Sequence, residues 1–194
     1  MAISDRLMST LLPLLATDLP GCAAADKLNA LDRTLGEFCR RSRCWRETLQ
    51  IAMADGAREA DLNWPHDGYA VSVAITAVNG APRLSRDYRY AIHPPRCNDG
   101  RQRIEFAFPP VTGRRWTLEV IGVLVPSRTC TDAPDWIVER YGHAIADGAT
   151  AILKKHRSKP YSDVAGAVDL QRTFERGISD ACCDATRGRR GRAA

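Results

Sequence analysis

The sequence predicts an α+β protein in which both chain ends form a helical bundle and an antiparallel β-sandwich or barrel is inserted between them. Apolar residues recur every three or four positions over 24–44, alternate with polar or small residues from 47 to 125, and return to the helical spacing after 135. The predicted domains are 1–45 with 127–187 for the bundle, 46–126 for the β insertion, and 188–194 for a flexible basic C-terminal arm.

Two helices are predicted before residue 45. A short apolar helix covers 4–15, and Pro20 and Gly21 end the segment that follows it. The longer helix covers 24–44, with an apolar face formed by Leu28, Leu31, Leu35 and Phe38.

Five stretches of the middle segment alternate in the manner of half-buried strands. Their inward residues are Leu49, Ile51 and Met53; Tyr69, Val71, Val73 and Ile75; Tyr88, Tyr90 and Ile92; Ile104, Phe106 and Phe108; and the run from Trp116 to Val125. Asp55-Gly56 and Asn79-Gly80 predict hairpin turns, Asn98-Asp99-Gly100 predicts a further turn, and Pro126 ends the last strand.

Two further helices are predicted near the C-terminus, separated by the linker HRSKPYS with its helix-breaking Pro160. The first presents Ile137, Tyr141, Ala144, Ile145, Gly148 and Ile152 on one face. Gly148 and Ala149 would let a neighbouring helix approach closely. The second, from about 163 to 187, presents Ala167, Leu170, Phe174, Ile178, Ala181 and Ala185.

The positive charge of the chain is concentrated at its C-terminus. Four of the net +5 charges correspond to Arg187, Arg189, Arg190 and Arg192, so the rest of the chain is nearly neutral. A near-neutral body argues against a broad phosphate-binding face. Gly188 and Gly191 disfavour helix, which predicts a flexible arm that binds an acidic partner, either nucleic acid or protein.

The sequence offers no support for catalysis, a cofactor or a metal. His66, His93, His143 and His156 share no ligand spacing, and the HExxH, GxSxG, GxxxxGK[ST] and GxGxxG motifs do not occur. His143 and Asp147 stand four apart on a predicted helix and are interpreted as a surface hydrogen bond. We therefore expect a protein that is not an enzyme.

Seven cysteines at irregular spacing fit reduced thiols in a cytoplasmic protein better than a disulfide framework. Cys39 and Cys44 are too far apart in sequence, and Cys182 and Cys183 too close, for a zinc knuckle, so Cys39 is predicted to pack in the core. An exported lipoprotein cleaved at Cys22 is an alternative, but the early acids and Pro13 argue against it. No apolar run is long enough for a membrane helix.

One segment at the predicted change from helix to strand has the sequence EFCRRSRCWRETLQ. Its arginines Arg40, Arg41 and Arg43 suit the negative end of the helix dipole, and Arg46 follows directly. Direct contact with nucleic acid is the alternative. Trp45 is expected to anchor the corner between the helix and the first strand.

The helix ending in EFCRRSRCWRETL, followed by a strand and a VNG hairpin, resembles the head-to-tail adaptor (connector) proteins of short-tailed bacteriophages. The segments AIADGATAILKKHRSKPYSD and FERGISDA resemble the closing helix pair of that family. The matching positions are Gly148, Ala149, Lys159, Pro160, Tyr161, Ser162, Phe174, Gly177 and Ile178.

This resemblance implies a structural protein of the virion, assembled in the host cytoplasm and placed at the head-tail interface. It implies a ring, typically of twelve copies, that docks beneath the portal protein, extends the DNA channel and supports the nozzle or tail tube. Viral DNA would pass through the ring without specific binding. Arg187, Arg189, Arg190 and Arg192 become candidate portal contacts. The alternative is an accessory protein that binds nucleic acid through its arginine-rich segments.

Overall fold

A computed structural model describes residues 5–64, 68–82, 87–95, 101–111, 113–127, 134–156 and 159–191. Within them, four helices flank seven strands in the order α1 (Asp5–Asp18), α2 (Ala24–Ser42), β1 (Arg46–Met53), β2 (Glu59–Leu62), β3 (Gly68–Val78), β4 (Ala81–Pro82), β5 (Tyr90–His93), β6 (Gln102–Phe106), β7 (Trp116–Pro126), α3 (Asp135–Lys154) and α4 (Val164–Gly191). The predicted α+β class, with helices at both ends and strands in the middle, is confirmed.

The chain divides into two compact units. The helical unit comprises Met1–Cys44 and Pro126–Ala194, and the β unit comprises Trp45–Val125. The boundary at Cys44 falls inside the EFCRRSRCWRETLQ segment.

Helix α3 lies at the centre of the helical unit, where it packs against α1, α2 and α4. The ring of Phe38 on α2 lies 5.2 Å from that of Tyr141 on α3 and 6.2 Å from that of Phe174 on α4. These three aromatic rings join three helices at one point. Most residues of the predicted apolar faces are buried, whereas Leu28, Ala144, Ile152, Leu170 and Ala185 are only half-buried.

Glycines allow α4 to lie close against α3. A Cβ placed on Gly148 of α3 would lie 2.7 Å from both Cδ2 of Phe174 and Cγ2 of Thr34. On α4, a Cβ on Gly177 would lie 2.5 Å from the Cβ of Ala144. Each distance is shorter than two carbon atoms tolerate, so both positions require glycine. The close approach predicted from Gly148 is confirmed.

The linker between α3 and α4 is fixed by its own side chains. Asp163 caps α4, because its Oδ1 accepts the Gly166 N–H at 2.9 Å, and its Oδ2 lies 3.6 Å from Nζ of Lys154. Tyr161 is buried, and the neighbouring Cys22 thiol raises the pKa of Tyr161 to about 12. The turn at Cys22 and the KPYS linker are therefore neighbours in the helical unit.

The β unit consists of two antiparallel sheets. The first has the strand order β1-β7-β3-β4 and the second the order β2-β6-β5. Phe106 of β6 and Trp116 of β7 connect the two sheets, with ring centroids 6.1 Å apart. The buried Gln102 adds a polar connection: its Oε1 accepts the Ala70 N–H at 2.8 Å, and its Nε2 donates to the Ala70 carbonyl at 2.6 Å.

Turn predictions in the β unit had different outcomes. Asn79 and Gly80 have φ of 51° and 73° and join the paired residues Val78 and Ala81, which confirms the hairpin. Asp55-Gly56 also forms a turn, but it does not make a hairpin, because β1 pairs with β7 and β2 pairs with β6. The turn instead carries the chain from one sheet to the other. Asn98-Asp99-Gly100 lies outside the described residues.

Two short strands and the end of β6 depart from the sequence prediction. Strands β2 and β4 have only four and two residues, too few for a visible alternation. Val71 and Phe108 were each predicted to belong to an inward-facing row, and this was wrong, because Val71 is 40% exposed and Phe108 lies beyond its strand. Strand β6 ends at Phe106, Pro109 and Pro110 follow shortly after, and the Phe108 side chain is 74% exposed.

We expect Gly148→Ala to lower the free energy of unfolding by about 1–3 kcal/mol, because the added methyl group overlaps two buried side chains. Urea unfolding followed by circular dichroism measures this change. Gly36→Ala on α2 is the matched control, since its Cβ would meet nothing within 4 Å. The control should gain about 0.5–1 kcal/mol from helix propensity. Equal effects of the two substitutions would contradict the packing described here.

Candidate partner-binding surface

The C-terminal part of α4 extends past the core of the helical unit. Helix α4 has 28 residues, which corresponds to about 42 Å. Ala181 is its last buried residue among those whose side chains are described. Asp184 still hydrogen-bonds Tyr141 of α3, so about 10 Å of helix, at 1.5 Å per residue, follows the last described contact with α3. This end of the helix is suited to reaching a partner.

Three of the four predicted portal-contact arginines lie in this last part of α4. Arg187 is exposed, Arg189 and Arg190 lie within the helix, and Arg192 falls outside the described residues. The helix end predicted at 187 was four residues short, because α4 continues to Gly191. Extending an existing helix needs no new nucleation, and the arginines on both sides are good helix formers, so the helix continues despite a cost of about 1 kcal/mol for Gly188. The flexibility of the arm at 188–194 stays a prediction.

Arg41 attaches α4 to α2. Its guanidinium donates to Oε1 of Glu175 at 2.7 Å, donates also to Oε2 of the same carboxylate, and contacts Oε1 of Glu37 at 3.1 Å. Gln171 adds a bond to Glu175 at 3.1 Å. The bidentate contact with Arg41 holds the pKa of Glu175 below its usual value, and the same contact raises that of Arg41. This arginine of EFCRRSRCWRETLQ therefore has a structural role.

The rest of that segment forms the joint between the units. Arg43 ends α2 in the left-handed region, with φ of 52°, and its N–H donates to the Cys39 carbonyl at 3.0 Å. Cys39 is fully buried, which confirms the prediction of core packing. Trp45 is also fully buried and donates its indole N–H to Oε1 of Glu47 at 3.2 Å. The tryptophan anchors the start of the β unit.

No group of three or more His, Cys, Asp or Glu residues that could hold a metal ion occurs in the parts of the chain that the structure describes. Among the same residues, no helix is long and apolar enough to cross a membrane.

A groove of about 420 Å³ runs between α3 and α4 on the helical unit. At one end, Asp184 accepts the Tyr141 hydroxyl at 2.9 Å and pairs with Arg140 at 2.7 Å. Burial, and then the Asp184 carboxylate, raise the pKa of Tyr141 above its usual value. Asp147 lies further along, and its pKa is raised by burial and lowered in part by His143. Residues of both helices line the groove, and Arg140 of α3 pairs there with Asp184 of α4.

A comparison with protein-family models matches residues 6–194 to the model described as the SU10 adaptor protein. The chain belongs to the SU10 adaptor protein family. The suspected relationship to phage adaptors is thereby confirmed. A search of curated proteins finds no match to this adaptor.

The structure explains the resemblance motifs of this adaptor as packing contacts. Gly148 lies against Phe174, Gly177 against Ala144, and Tyr161 against Cys22. The contact between Arg41 and Glu175 was not predictable from the local sequence, since 134 residues separate the two in the chain. The exposure of Phe108 was not predicted either, although the two prolines that follow it could have indicated the end of a strand.

A double-mutant cycle should give a coupling of about 0.2–1 kcal/mol between Arg41→Ala and Glu175→Ala. The small size follows from exposure, because both side chains are 42% exposed. The control is a second double-mutant cycle on the pair Arg172–Asp169, whose side chains are 75% and 79% exposed. Its coupling is expected near the lower limit of the range of about 0.2–1 kcal/mol. Chemical unfolding of the four proteins in each cycle measures the difference.

The same pair predicts a dependence of stability on pH. The folded-state pKa of Glu175 lies below the usual 4.5, so its contribution is complete above that value and is lost as the pH falls through the folded pKa. Arg41 remains charged throughout because its pKa is raised. Glu175→Gln should therefore lose less stability than the wild type over the acidic range. A steeper acid loss in the variant would contradict this.

Proposed function

We propose that this protein is a head-to-tail adaptor that assembles into a ring beneath the portal, extends the DNA channel, and supplies the platform on which the nozzle or tail docks. The family match supports a structural adaptor protein of the virion. The observation that carries the proposal further is the basic end of α4, which continues to Gly191 after the last described core residue, Ala181.

The portal contact is proposed to involve Arg187, Arg189, Arg190 and Arg192. Arginine presents a planar fork of donors that fits a carboxylate in a bidentate manner, so an acidic groove on the portal is the matching surface. Because this segment is already helical up to Gly191, it loses less conformational entropy on docking than an unfolded segment would.

Ring assembly requires each copy to present two different complementary faces, so that the head-to-tail contact closes by rotation. Twelve copies is the number that the resemblance implies. The nearly neutral charge of the chain before Arg187 suits a channel for DNA, since strong phosphate contacts would retard its passage. We expect neither catalysis nor a cofactor in this role, and we place the protein at the head-tail interface after assembly in the host cytoplasm.

Replacing all four C-terminal arginines by glutamate should weaken docking on the cognate portal at least about tenfold while the fold stays intact. The reason is that the substitutions reverse the charge of a segment in which Arg187, whose side chain is described, is exposed. Negative-stain electron microscopy of mixtures with the portal measures ring formation, and a titration at several salt concentrations measures affinity.

The matched control replaces the same four arginines by lysine, which keeps the charge and should retain most of the docking at low salt. Thermal unfolding checks the fold of both variants. Failure of the wild-type protein to form a ring on the portal would overturn the proposal. A collapse of thermal stability in the glutamate variant would instead show that this segment is packed.

An accessory protein that binds nucleic acid is the second candidate, and the same arginines favour it. It predicts tight, salt-sensitive binding of short duplex DNA by the isolated monomer, lost when residues 187–194 are deleted. Fluorescence anisotropy distinguishes the two functions, because the adaptor is expected to bind such DNA weakly with or without these residues.

A further inference from the structure

One end of the β unit presents an aromatic side chain to solvent. Phe108 is 74% exposed, and the residues that follow it, Pro109, Pro110 and Val111, are half-buried. Among the described large apolar side chains, the next most exposed is Val164 at 47%. An isolated exposed apolar residue is common, but a run of four apolar residues led by an exposed phenylalanine is a frequent feature of contact surfaces.

The loop that carries Phe108 is held in place. The Gly113 N–H donates to Oδ1 of Asp55 at 2.6 Å, and the indole N–H of Trp116 donates to the Ala54 carbonyl at 3.1 Å. The first bond ties the loop, and the second ties the start of β7, to the turn after β1. Pro109 and Pro110 restrict φ within it. A restrained loop loses little conformational entropy when a partner covers it.

The backbones of four arginines from three segments lie next to this loop. The Arg58 carbonyl accepts the Phe106 N–H at 2.7 Å, and the Arg89 carbonyl accepts the Ala107 N–H at 2.9 Å, which places both residues beside the start of the loop. Arg114 and Arg115 lie at its other end, directly before β7. All four are exposed, and within the described residues none of the four forms an ion pair with a carboxylate. We call Phe108 with these four arginines the aromatic-arginine cluster.

We propose that the aromatic-arginine cluster is a docking surface for a tail protein that offers an apolar pocket rimmed by carboxylates. Phenylalanine and arginine are enriched at protein interfaces, and an aromatic anchor with charged surroundings matches the anatomy of a binding hot spot. Duplex DNA fits less well, because phosphates would pair with the arginines and leave the apolar loop exposed to water. This proposal rests on the adaptor function for its choice of partner.

The test uses the full-length protein and the tail proteins of the same phage, each purified singly, with biolayer interferometry as the readout. We expect one tail protein to bind and Phe108→Ser to weaken that binding at least about 30-fold. The double variant Arg114→Glu/Arg115→Glu should slow association and reduce its salt dependence. Val71→Ser, at an exposed apolar position of the same unit, is the matched control and should leave binding unchanged.

Three results would overturn the proposal. The first is tail-protein binding that Phe108→Ser does not change. The second is that Arg114→Glu/Arg115→Glu loses binding to duplex DNA while its binding to tail proteins is unaffected. The third is that these variants lose self-association, as measured by sedimentation. Docking on the portal is measured in parallel and should be unaffected by Phe108→Ser. A failure of the adaptor function would remove portal docking in the wild type as well, so the two failures are distinguishable. Thermal unfolding confirms that the variants fold.

Discussion

The close contact between α3 and α4 is the constraint on which the helical unit depends. Gly148 lets the Phe174 ring approach the α3 backbone, and that ring in turn meets Phe38 of α2. Without this approach, α4 would move outward and the bidentate contact between Arg41 and Glu175 would lose its geometry. Packing therefore positions the ion pair, and burial supplies most of the stability, since an exposed pair contributes little.

Periodicity was sufficient to predict the helices and the long strands, because each buries one face and has enough residues to display its period. It was insufficient for β2 and β4, which are short, and for Asp55-Gly56, whose local sequence specifies a turn but not which strands pair across it. Strand pairing depends on contacts distant in sequence, such as that between Met53 and Trp116. Local sequence patterns contain no information about such partners.

The arginine content of the candidate surface was predictable from the sequence, but the helical structure of that segment was not. The C-terminal arginines stand out in the sequence, yet Gly188 led to a predicted break where the helix continues. Arg41 was predicted to suit the negative end of the helix dipole, with nucleic-acid contact as the alternative, and a distant carboxylate gives it a structural role. Phe108 fitted an alternating row by sequence, and only the end of β6 at Phe106 revealed its exposure. A neighbour distant in sequence decided the outcome for Arg41, whereas the helix end and the exposure of Phe108 depended on local sequence.

The chain enters and leaves the β unit through two paired strands. Arg46 of β1 lies opposite Val123 of β7, and the Leu124 N–H donates to the Trp45 carbonyl at 2.9 Å. The two crossing points are thus neighbours, and the β unit satisfies its own backbone there. Such an arrangement makes the unit exchangeable during evolution: a short turn or an unrelated domain whose termini lie equally close could replace it without cutting a helix. The helical unit would then persist among relatives whose inserted parts differ.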